Sequence, residues 1–381
     1  MASIDQRAAK AYFLLGWGAI LVSVVFFGWS DTWSMLSVPS MYPEFADMRT
    51  VQGALSSQHQ NLNPQLINPG DPWNRPMNYP SVWISIAKVF GLNDSLNFLV
   101  FVSIMVGIFL ACCYTLLATY PSFTLLLMCF SGCTLLAVER GNNDVLIFSI
   151  LYVTAISGVR TNAIAIFFAT SLKIFPLLTV PAFCRSLKHG FIIVIAVIAA
   201  LAFIWPELSN IKSETPSSAS FSYGSASLTA AFRMLGFHVP GIIISTCLLG
   251  ASLTLLCLQG VRTATSATGA SSGEQQMFLI GALVYCGTFV LSSNWDYRII
   301  FLMFCVPYIN KMSLRGLSIA ISIFLVVAAN QAPLYLLLGL AGAGLNLIAK
   351  VGLMVLLSCM AGQMLLDQAR RASATTQNLA N

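Results

Sequence analysis

The chain is 381 residues long, and only 8% of these residues are charged whereas 57% are hydrophobic. So little polar surface cannot cover a water-soluble globule of this length, which excludes soluble enzymes and binding modules and indicates a protein embedded in a lipid bilayer. The formal net charge of +6 comes from basic residues scattered singly or in pairs at the ends of apolar runs. This pattern is typical of membrane topology signals and differs from the basic stripe of a nucleic-acid-binding protein.

The first apolar run covers residues 11–29 and follows Arg7 and Lys10. It is long, ends in Trp-Ser-Asp-Thr-Trp and lacks a small-residue cleavage site, so we interpret it as a retained first span rather than a signal peptide. The two basic residues predict a cytoplasmic N-terminus. Residues 30–80 then form a long first outer loop, whose acidic balance fits the exterior.

Apolar runs of about 15 to 25 residues recur over the rest of the chain, and each is long enough, or nearly so, to cross a bilayer as a helix. We therefore predict an all-α, polytopic transmembrane helical bundle of about 10–12 spans, with residues 1–381 forming a single integral membrane domain. A second polar outer loop is expected at about residues 206–239, which are rich in Ser, Thr and Gly. Residues 79–92 are apolar but short, so they form either a short span or a helix at the outer interface.

Residues 161–183 have basic residues on both flanks, which predicts that both ends are cytoplasmic. One crossing would put the flanks on opposite sides, and two full crossings need a longer segment. We therefore predict a re-entrant or broken hairpin that turns between Lys173 and Pro176. That turn places Lys173 deep in the bundle, facing a cavity, where an ammonium group suits a phosphate.

Polar side chains capable of chemistry cluster at places that this topology puts mostly on the outer side. The first cluster lies in the first outer loop and includes Asp47 and Arg75, followed by Tyr79. A carboxylate shortly after a first span could act as a general base or a metal ligand, or it could be a solvated loop charge. Asp47 is the candidate catalytic residue.

The second cluster, residues 139–144, contains two acids, one arginine and two asparagines between two apolar runs. Glu139 paired with Arg140, and Asn142 and Asp144 capping the next helix, would explain part of this segment. A turn does not need all five groups, so these residues are also candidates for ligand binding.

The third cluster places Asp296 and Arg298 on either side of Tyr297, at the start of an apolar run. A structural ion pair between Asp296 and Arg298 is one interpretation. Ligand binding by the same residues is the other, and both remain open at this point.

Motifs that the sequence lacks exclude several classes of protein. There is no GxxxxGK[ST] of a P-loop pump, and the three histidines are too far apart for a zinc protease site. All ten cysteines lie within or at the edge of apolar runs, which argues against a disulfide framework and against a CxxC metal site. We therefore assign no residue as a metal ligand.

Four short motifs follow one another in a particular order along residues 47–176. They are Asp47 after the first span, Tyr79-Pro80 before the next apolar segment, Gly141-Asn142 opening a helix, and Leu172-Lys173-Ile-Phe-Pro176. In this order the chain resembles the polytopic GT-C glycosyltransferases, and it is most similar to glycosyltransferase family 87, the bacterial polyprenyl-phosphate-mannose-dependent mannosyltransferases, with a weaker echo at Tyr297-Arg298. It departs from the family pattern at Ser81, where a second proline is usual, at the Gly-Asn-Asn turn, and at Phe175, where tyrosine is usual.

The resemblance implies a GT-C-like fold and the transfer of a mannose-like hexose from a polyprenyl-phosphate sugar donor to a hydroxyl of a glycan or lipid acceptor. The reaction would take place at the outer, periplasmic face of the bacterial inner membrane, with Asp47 deprotonating the acceptor. The partners implied are the bilayer, the donor and the acceptor, without nucleic acid, with no certain cofactor and with a divalent metal left open. The implied substrate-binding residues are Lys173, Arg140, Asn142, Asp144, Arg75, Tyr79, Asp296, Tyr297 and Arg298. The cations among them would lie beside the leaving phosphate.

Two other functions are compatible with the sequence. A lipid-linked polysaccharide polymerase or ligase would share the outer polar loops and the cations, and it predicts that Asp47 is dispensable. A multi-span transporter would place its charges near the bilayer midplane, facing one another across a pathway. The sequence instead shows its charges mainly at the ends of apolar runs.

Overall fold

The computed structural model describes residues 4–157, 159–184, 187–214, 221–234, 236–255, 265–291 and 293–380. Within these ranges the chain is nearly all helical, which confirms the predicted all-α class. The first helices in chain order are α1 (Gln6–Phe27), α2 (Trp29–Met35), α3 (Ala46–His59), α4 (Val82–Val89), α5 (Ser95–Thr119), α6 (Phe123–Cys129), α7 (Gly132–Glu139), α8 (Asp144–Ile156), α9 (Val159–Leu172), α10 (Val180–Phe183) and α11 (Leu187–Ile204).

The remaining elements include a small two-stranded sheet and three 3₁₀ helices, which are Phe175–Thr179, Trp205–Glu207 and Asp296–Cys305. The strands β1 and β2 pair antiparallel, with Ser222 opposite Trp295 and Tyr223 opposite Asn294. These elements are α12 (Leu208–Glu214), β1 (Ser222–Gly224), α13 (Ser225–Met234), α14 (Gly241–Leu255), α15 (Ser272–Leu291), β2 (Ser293–Trp295), α16 (Val306–Ile309), α17 (Arg315–Ala328), α18 (Gln331–Leu338) and α19 (Leu340–Ala380).

Five helices in the described ranges are long and apolar enough to cross a membrane, and the number rises to six if α17 and α18, bent by 82°, count as one span. They indicate a helical membrane protein. The number is below the 10–12 predicted, because that prediction counted shorter apolar helices as full crossings. For example, α8 has 13 residues and reaches only about 20 Å, against a hydrocarbon core of about 30 Å.

The two long outer loops predicted from polarity contain helices. The first, residues 30–80, includes α2 and the 14-residue α3. The second, residues 206–239, includes α12, β1 and α13, while residues 215–220 and 235 lie outside the described ranges. Polarity alone predicted loops because short helices that pack with one face against a bundle keep many polar residues on the other face.

The segment at residues 79–92 forms the short helix α4, whose eight residues cannot cross a bilayer. Its Trp83 is fully buried and donates its indole N–H to the carbonyl oxygen of Leu172 at 3.0 Å. This hydrogen bond fastens α4 to the C-terminal end of α9.

The helix breaks between Lys173 and Pro176, where the predicted hairpin turns. Helix α9 ends at Leu172, and a 3₁₀ helix begins at Phe175 with Pro176 in its first turn, as expected for a residue that cannot donate a backbone hydrogen bond. The basic flanks that led to this prediction were Arg160, Arg185 and Lys188. Their side chains lie outside the described part of the chain.

The apolar run at residues 299–309 is part of the core of the bundle. It folds as a 10-residue 3₁₀ helix that continues into α16, and side chains on all its faces are buried, as expected for a helix that is apolar all round. The ring of Phe304 stacks on that of Phe148 with 4.4 Å between centroids. This helix carries its N-terminal residues from the core up to the cavity described below.

Close packing between α15 and this 3₁₀ helix depends on Gly281. A Cβ atom there would lie 2.6 Å from the carbonyl oxygen of Phe301 and 2.8 Å from Sγ of Cys305. We expect Gly281→Ala to lower the free energy of unfolding by about 1–3 kcal/mol through overpacking, measured as a lower melting temperature in detergent. The control, Gly18→Ala on an exposed face of α1, has no atom within 4 Å of the new Cβ and should not destabilise the protein. Equal melting temperatures for the two variants would contradict this role of Gly281.

Candidate active site

The polar ends of several helices surround a cavity of about 750 Å³, a size typical of small-molecule sites. The apolar residues that line the cavity include Leu177, Leu178, Leu208, Ile211 and Leu291. Among the residues that the structure describes, the charged ones that line it are one carboxylate and four cations, namely Asp47, Arg75, Arg140, Lys173 and Arg298. A cavity lined by both apolar side chains and an excess of cations suits an amphiphilic ligand whose headgroup is anionic.

Asp47 lies in the first turn of α3, where its backbone N–H donates to the carbonyl oxygen of Arg140 at 2.9 Å. Its Oδ2 accepts a hydrogen bond from Nδ2 of Asn142 at 2.5 Å. Its Oδ1 lies 3.7 Å from Nη1 of Arg75, and the side chain is 16% exposed. The amide orients one oxygen of the carboxylate, while the looser contact with Arg75 leaves the other able to accept a proton from a ligand.

Arg75 is held in place by Asp71 through two hydrogen bonds, from Nε to Oδ2 at 3.0 Å and from Nη2 to Oδ1 at 2.8 Å. The guanidinium also lies over the ring of Trp73, 4.6 Å from its centroid. Oδ2 of Asp71 accepts hydrogen bonds from the backbone N–H groups of Trp73 and Arg75, so the same carboxylate shapes the turn. A bidentate pair of this kind fixes the direction of an arginine before any ligand binds.

Asp144, at the start of α8, holds two cations that come from distant parts of the chain. Its Oδ1 lies 2.6 Å from Nζ of Lys173, and its Oδ2 lies 3.2 Å from Nε of Arg298. The carboxylate is fully buried, whereas each cation is 14% exposed. Because one negative charge serves two positive ones, this trio presents net positive charge to the cavity.

Aromatic rings enclose the two cations. Nζ of Lys173 lies 5.4 Å from the ring centroid of Tyr79 and 5.9 Å from that of Tyr297, and the guanidinium of Arg298 lies 4.5 Å from that of Phe175. Burial, followed by the negative charge of Asp47, raises the pKa of Tyr79 well above its ordinary value. Its phenol therefore stays neutral at physiological pH and can donate a hydrogen bond to a ligand.

The turn at residues 139–144 binds Asp47, the catalytic candidate, and contributes Arg140 to the wall of the cavity. Glu139 and Arg140 form the predicted ion pair at 3.1 Å, and they also bind residues 39–41, through the N–H of Met41 and the carbonyl oxygen of Pro39. Asn142 caps α8 as predicted, since its Oδ1 accepts from the N–H of Asp144 at 2.8 Å. The prediction that Asp144 is also a cap is wrong, because its carboxylate binds the two cations instead.

Of the two interpretations of the third cluster, the ion pair between Asp296 and Arg298 is wrong. The carboxylate of Asp296 accepts from Nζ of Lys350 at 2.7 Å, outside the wall of the cavity, so it is not placed to bind a ligand there. Arg298 turns the other way, toward Asp144. Each of the two charges is paired with a residue from another part of the fold, Asp296 with Lys350 and Arg298 with Asp144.

Two residues of this region had not been singled out in the sequence. Lys350 is an isolated lysine in an apolar helix. Because such a charge needs a partner, the sequence alone could have indicated a functional or structural role for this residue. Glu207 accepts hydrogen bonds from the N–H and hydroxyl of Ser81 and from Nε2 of Gln65 at 2.8 Å. It thereby ties α12, whose Leu208 lines the cavity, to the start of α4.

The sequence-predicted residues therefore divide into three groups. Asp47, Arg75, Tyr79, Arg140, Lys173, Tyr297 and Arg298 line one cavity. Asn142 and Asp144 lie behind that wall and orient the lining residues, and Asp296 points elsewhere. Tyr223 of the second polar segment is fully buried against Tyr285, whereas Phe221, two residues earlier, lines the cavity.

No protein-family model, curated protein or solved structure matches this chain. Among the described residues, His, Cys, Asp and Glu side chains do not gather in groups of three or more that could hold a metal ion. The function must therefore be inferred from the cavity itself and from the resemblance noted in the sequence.

Proposed function

We propose that this protein is a GT-C-type membrane glycosyltransferase, which moves a mannose-like hexose from a polyprenyl-phosphate donor to an acceptor hydroxyl at the periplasmic face of the bacterial inner membrane. The observation that carries the proposal is the position of one carboxylate, Asp47, in the same cavity as the cations Arg75, Lys173 and Arg298. Arg298 binds Asp144, which is 154 residues away in the chain, so the convergence of these charges on one cavity is informative.

The chemistry of the transfer requires these two kinds of group. As the acceptor oxygen attacks the anomeric carbon, its proton passes to Asp47, and the bond from that carbon to the phosphate oxygen breaks. Negative charge grows on the departing polyprenyl phosphate, and Lys173 and Arg298 would stabilise it because Asp144 already holds them in position. The tyrosines and Trp295 beside the cations offer flat faces for a sugar ring.

The shape of the cavity supports a lipid-linked donor. The leucine and isoleucine side chains in its lining would contact the apolar chain of a polyprenyl group, while the cations bind its phosphate. Asp47 and Asp144 belong to one polar end of the bundle, since the N–H of Asp47 bonds to the carbonyl of Arg140. One active site needs one compartment, and this arrangement satisfies that condition.

The test is transfer from radiolabelled polyprenyl-phosphate sugars in membranes that contain wild type or Lys173→Met at matched protein levels. We expect Lys173→Met to lower transfer by about 10- to 1,000-fold, because a cation that stabilises the leaving phosphate is lost. The matched control is Lys88→Met, since Lys88 is exposed on α4 and does not line the cavity. A wild type that transfers none of the sugars offered would overturn the proposal and favour a transporter or a polymerase. A Lys173→Met variant as active as the control would overturn the role of Lys173 beside the leaving phosphate.

A further inference from the structure

Lys350 is a buried lysine within a membrane helix, and the proposed reaction does not use it. It lies on α19, is 1% exposed, and uses all three of its ammonium hydrogens. The acceptors are the carbonyl oxygen of Ser222 at 3.1 Å, Oδ1 of Asp296 at 2.7 Å and Oε1 of Gln331 at 2.8 Å. Since a charge in this position is unfavourable unless it is paired, its three partners indicate what it is there to hold.

Two of the three partners belong to the small sheet beside the cavity. Ser222 lies on β1, and Asp296 directly follows β2, where its N–H donates to the carbonyl oxygen of Phe221 at 2.8 Å. The same short stretches supply a wall of the cavity, formed by Phe221, Asn294, Trp295, Tyr297 and Arg298. Lys350 therefore binds the segment that forms this wall of the cavity, from outside the cavity.

Asp296 and Arg298 carry opposite charges and lie two residues apart, so Arg298 and Lys350 can compete for the carboxylate of Asp296. Asp296 is buried and needs a cation, and Arg298 is the next charged residue along the chain. In the structure the guanidinium of Arg298 binds Asp144 and Asn294 instead. This partition is possible because Asp296 already has the ammonium of Lys350.

We infer that Lys350 is a positioning residue, which occupies Asp296 and so leaves Arg298 in the cavity to bind the anionic headgroup of the ligand. Without the ammonium, Asp296 would draw Arg298 out of the cavity wall. Asp144 would then neutralise Lys173 alone, and the cavity would lose one of its four lining cations. Only the identity of the headgroup, a polyprenyl phosphate, rests on the proposed function.

The direct readout is the reactivity of Arg298 toward phenylglyoxal, a small reagent selective for guanidinium groups, followed by mass spectrometry on the full-length protein in detergent. We expect Lys350→Met to slow modification of Arg298, while Arg75, in the same cavity, reacts as in wild type. The double variant Lys350→Met/Asp296→Asn should restore the rate, because a neutral amide no longer competes for the guanidinium. The control is Lys311→Met, since Lys311 pairs with Glu274 elsewhere in the fold.

Melting temperatures separate positioning from a merely structural role. If Lys350→Met does not fold, Lys350→Gln keeps an N–H donor for the carbonyl of Ser222 and tests the same loss of charge. The inference is overturned if Arg298 reacts at the wild-type rate in a folded, charge-deleted variant, or if the rate stays low in the double variant although that protein melts like wild type.

A second readout separates this inference from the proposed function. We expect the affinity for a polyprenyl monophosphate in nanodiscs to fall by at least about tenfold in Lys350→Met, as when a buried charge pair is broken, and to recover in the double variant. A wild type that binds no polyprenyl monophosphate would contradict the proposed function. The reactivity of Arg298 would still decide the role of Lys350.

Discussion

Replacing Asp47 by asparagine is expected to lower sugar transfer by about 10²- to 10⁴-fold, the range typical for loss of a general base. The variant keeps the size of the side chain and an oxygen that can accept the hydrogen bond from Asn142. It cannot take the proton of an acceptor hydroxyl. The measurement is the initial rate of transfer at saturating donor, with protein levels matched by quantitative blotting.

A matched control is Asp31→Asn, which makes the same change on the exposed face of α2, outside the cavity. Binding of a polyprenyl monophosphate should be nearly unchanged in Asp47→Asn, since the loss concerns proton transfer and not the cations. Transfer that persists in Asp47→Asn would favour a polymerase or ligase that needs no catalytic carboxylate. Transfer lost together with phosphate binding would point to a damaged cavity instead.

The second large effect is expected on stability, from Asp144→Asn. Loss of the fully buried carboxylate leaves Lys173 and Arg298 beside each other without a counter-charge, and breaking a buried pair in this way typically costs about 3–5 kcal/mol. We expect a clearly lower melting temperature in detergent and a reduced yield of folded protein. Removing one cation as well, in Asp144→Asn/Lys173→Met, should recover part of the loss because less charge is left unpaired.

The control for this stability measurement is Asp94→Asn, which changes the N-cap of α5. Oδ1 of Asp94 accepts from the N–H of Asn97 at 3.0 Å, and asparagine caps helices about as well as aspartate. Its melting temperature should therefore stay close to that of wild type. If Asp144→Asn also melts like wild type, the cations do not depend on Asp144 as described.

Sequence reasoning located most of the cavity because its residues are unusual in an apolar chain. The sequence shows polar residues in otherwise apolar surroundings at three places, which are the carboxylate after the first span, the lysine near Pro176 and the turn at residues 139–144. All three contribute to the same cavity. What the sequence could not show is which charges pair. Asp144 lies 29 and 154 residues from its two cations, whereas local rules favoured partners a few residues away.

The number and shape of the spans were less predictable, for a related reason. An apolar run such as residues 299–309 looks the same whether lipid or other helices surround it, since both environments favour apolar side chains. The 3₁₀ geometry from Asp296 to Cys305 depends on close approaches such as that of Gly281 to Phe301. Contacts of this kind are properties of the assembled bundle, and no local pattern encodes them.

The buried charged residues are synthesised in the order of their positions in the chain, so some of them appear before their partners. Asp144 and Lys173 are separated by 29 residues at the polar ends of adjacent helices, so they can enter the membrane together as a neutralised hairpin. Asp296 is synthesised 54 residues before Lys350, and its carboxylate has no permanent partner until α19 has been inserted. Assembly of this wall of the cavity therefore requires the insertion of α19. Synthesis that stops before residue 350 would yield a chain in which Asp296 lacks the ammonium of Lys350.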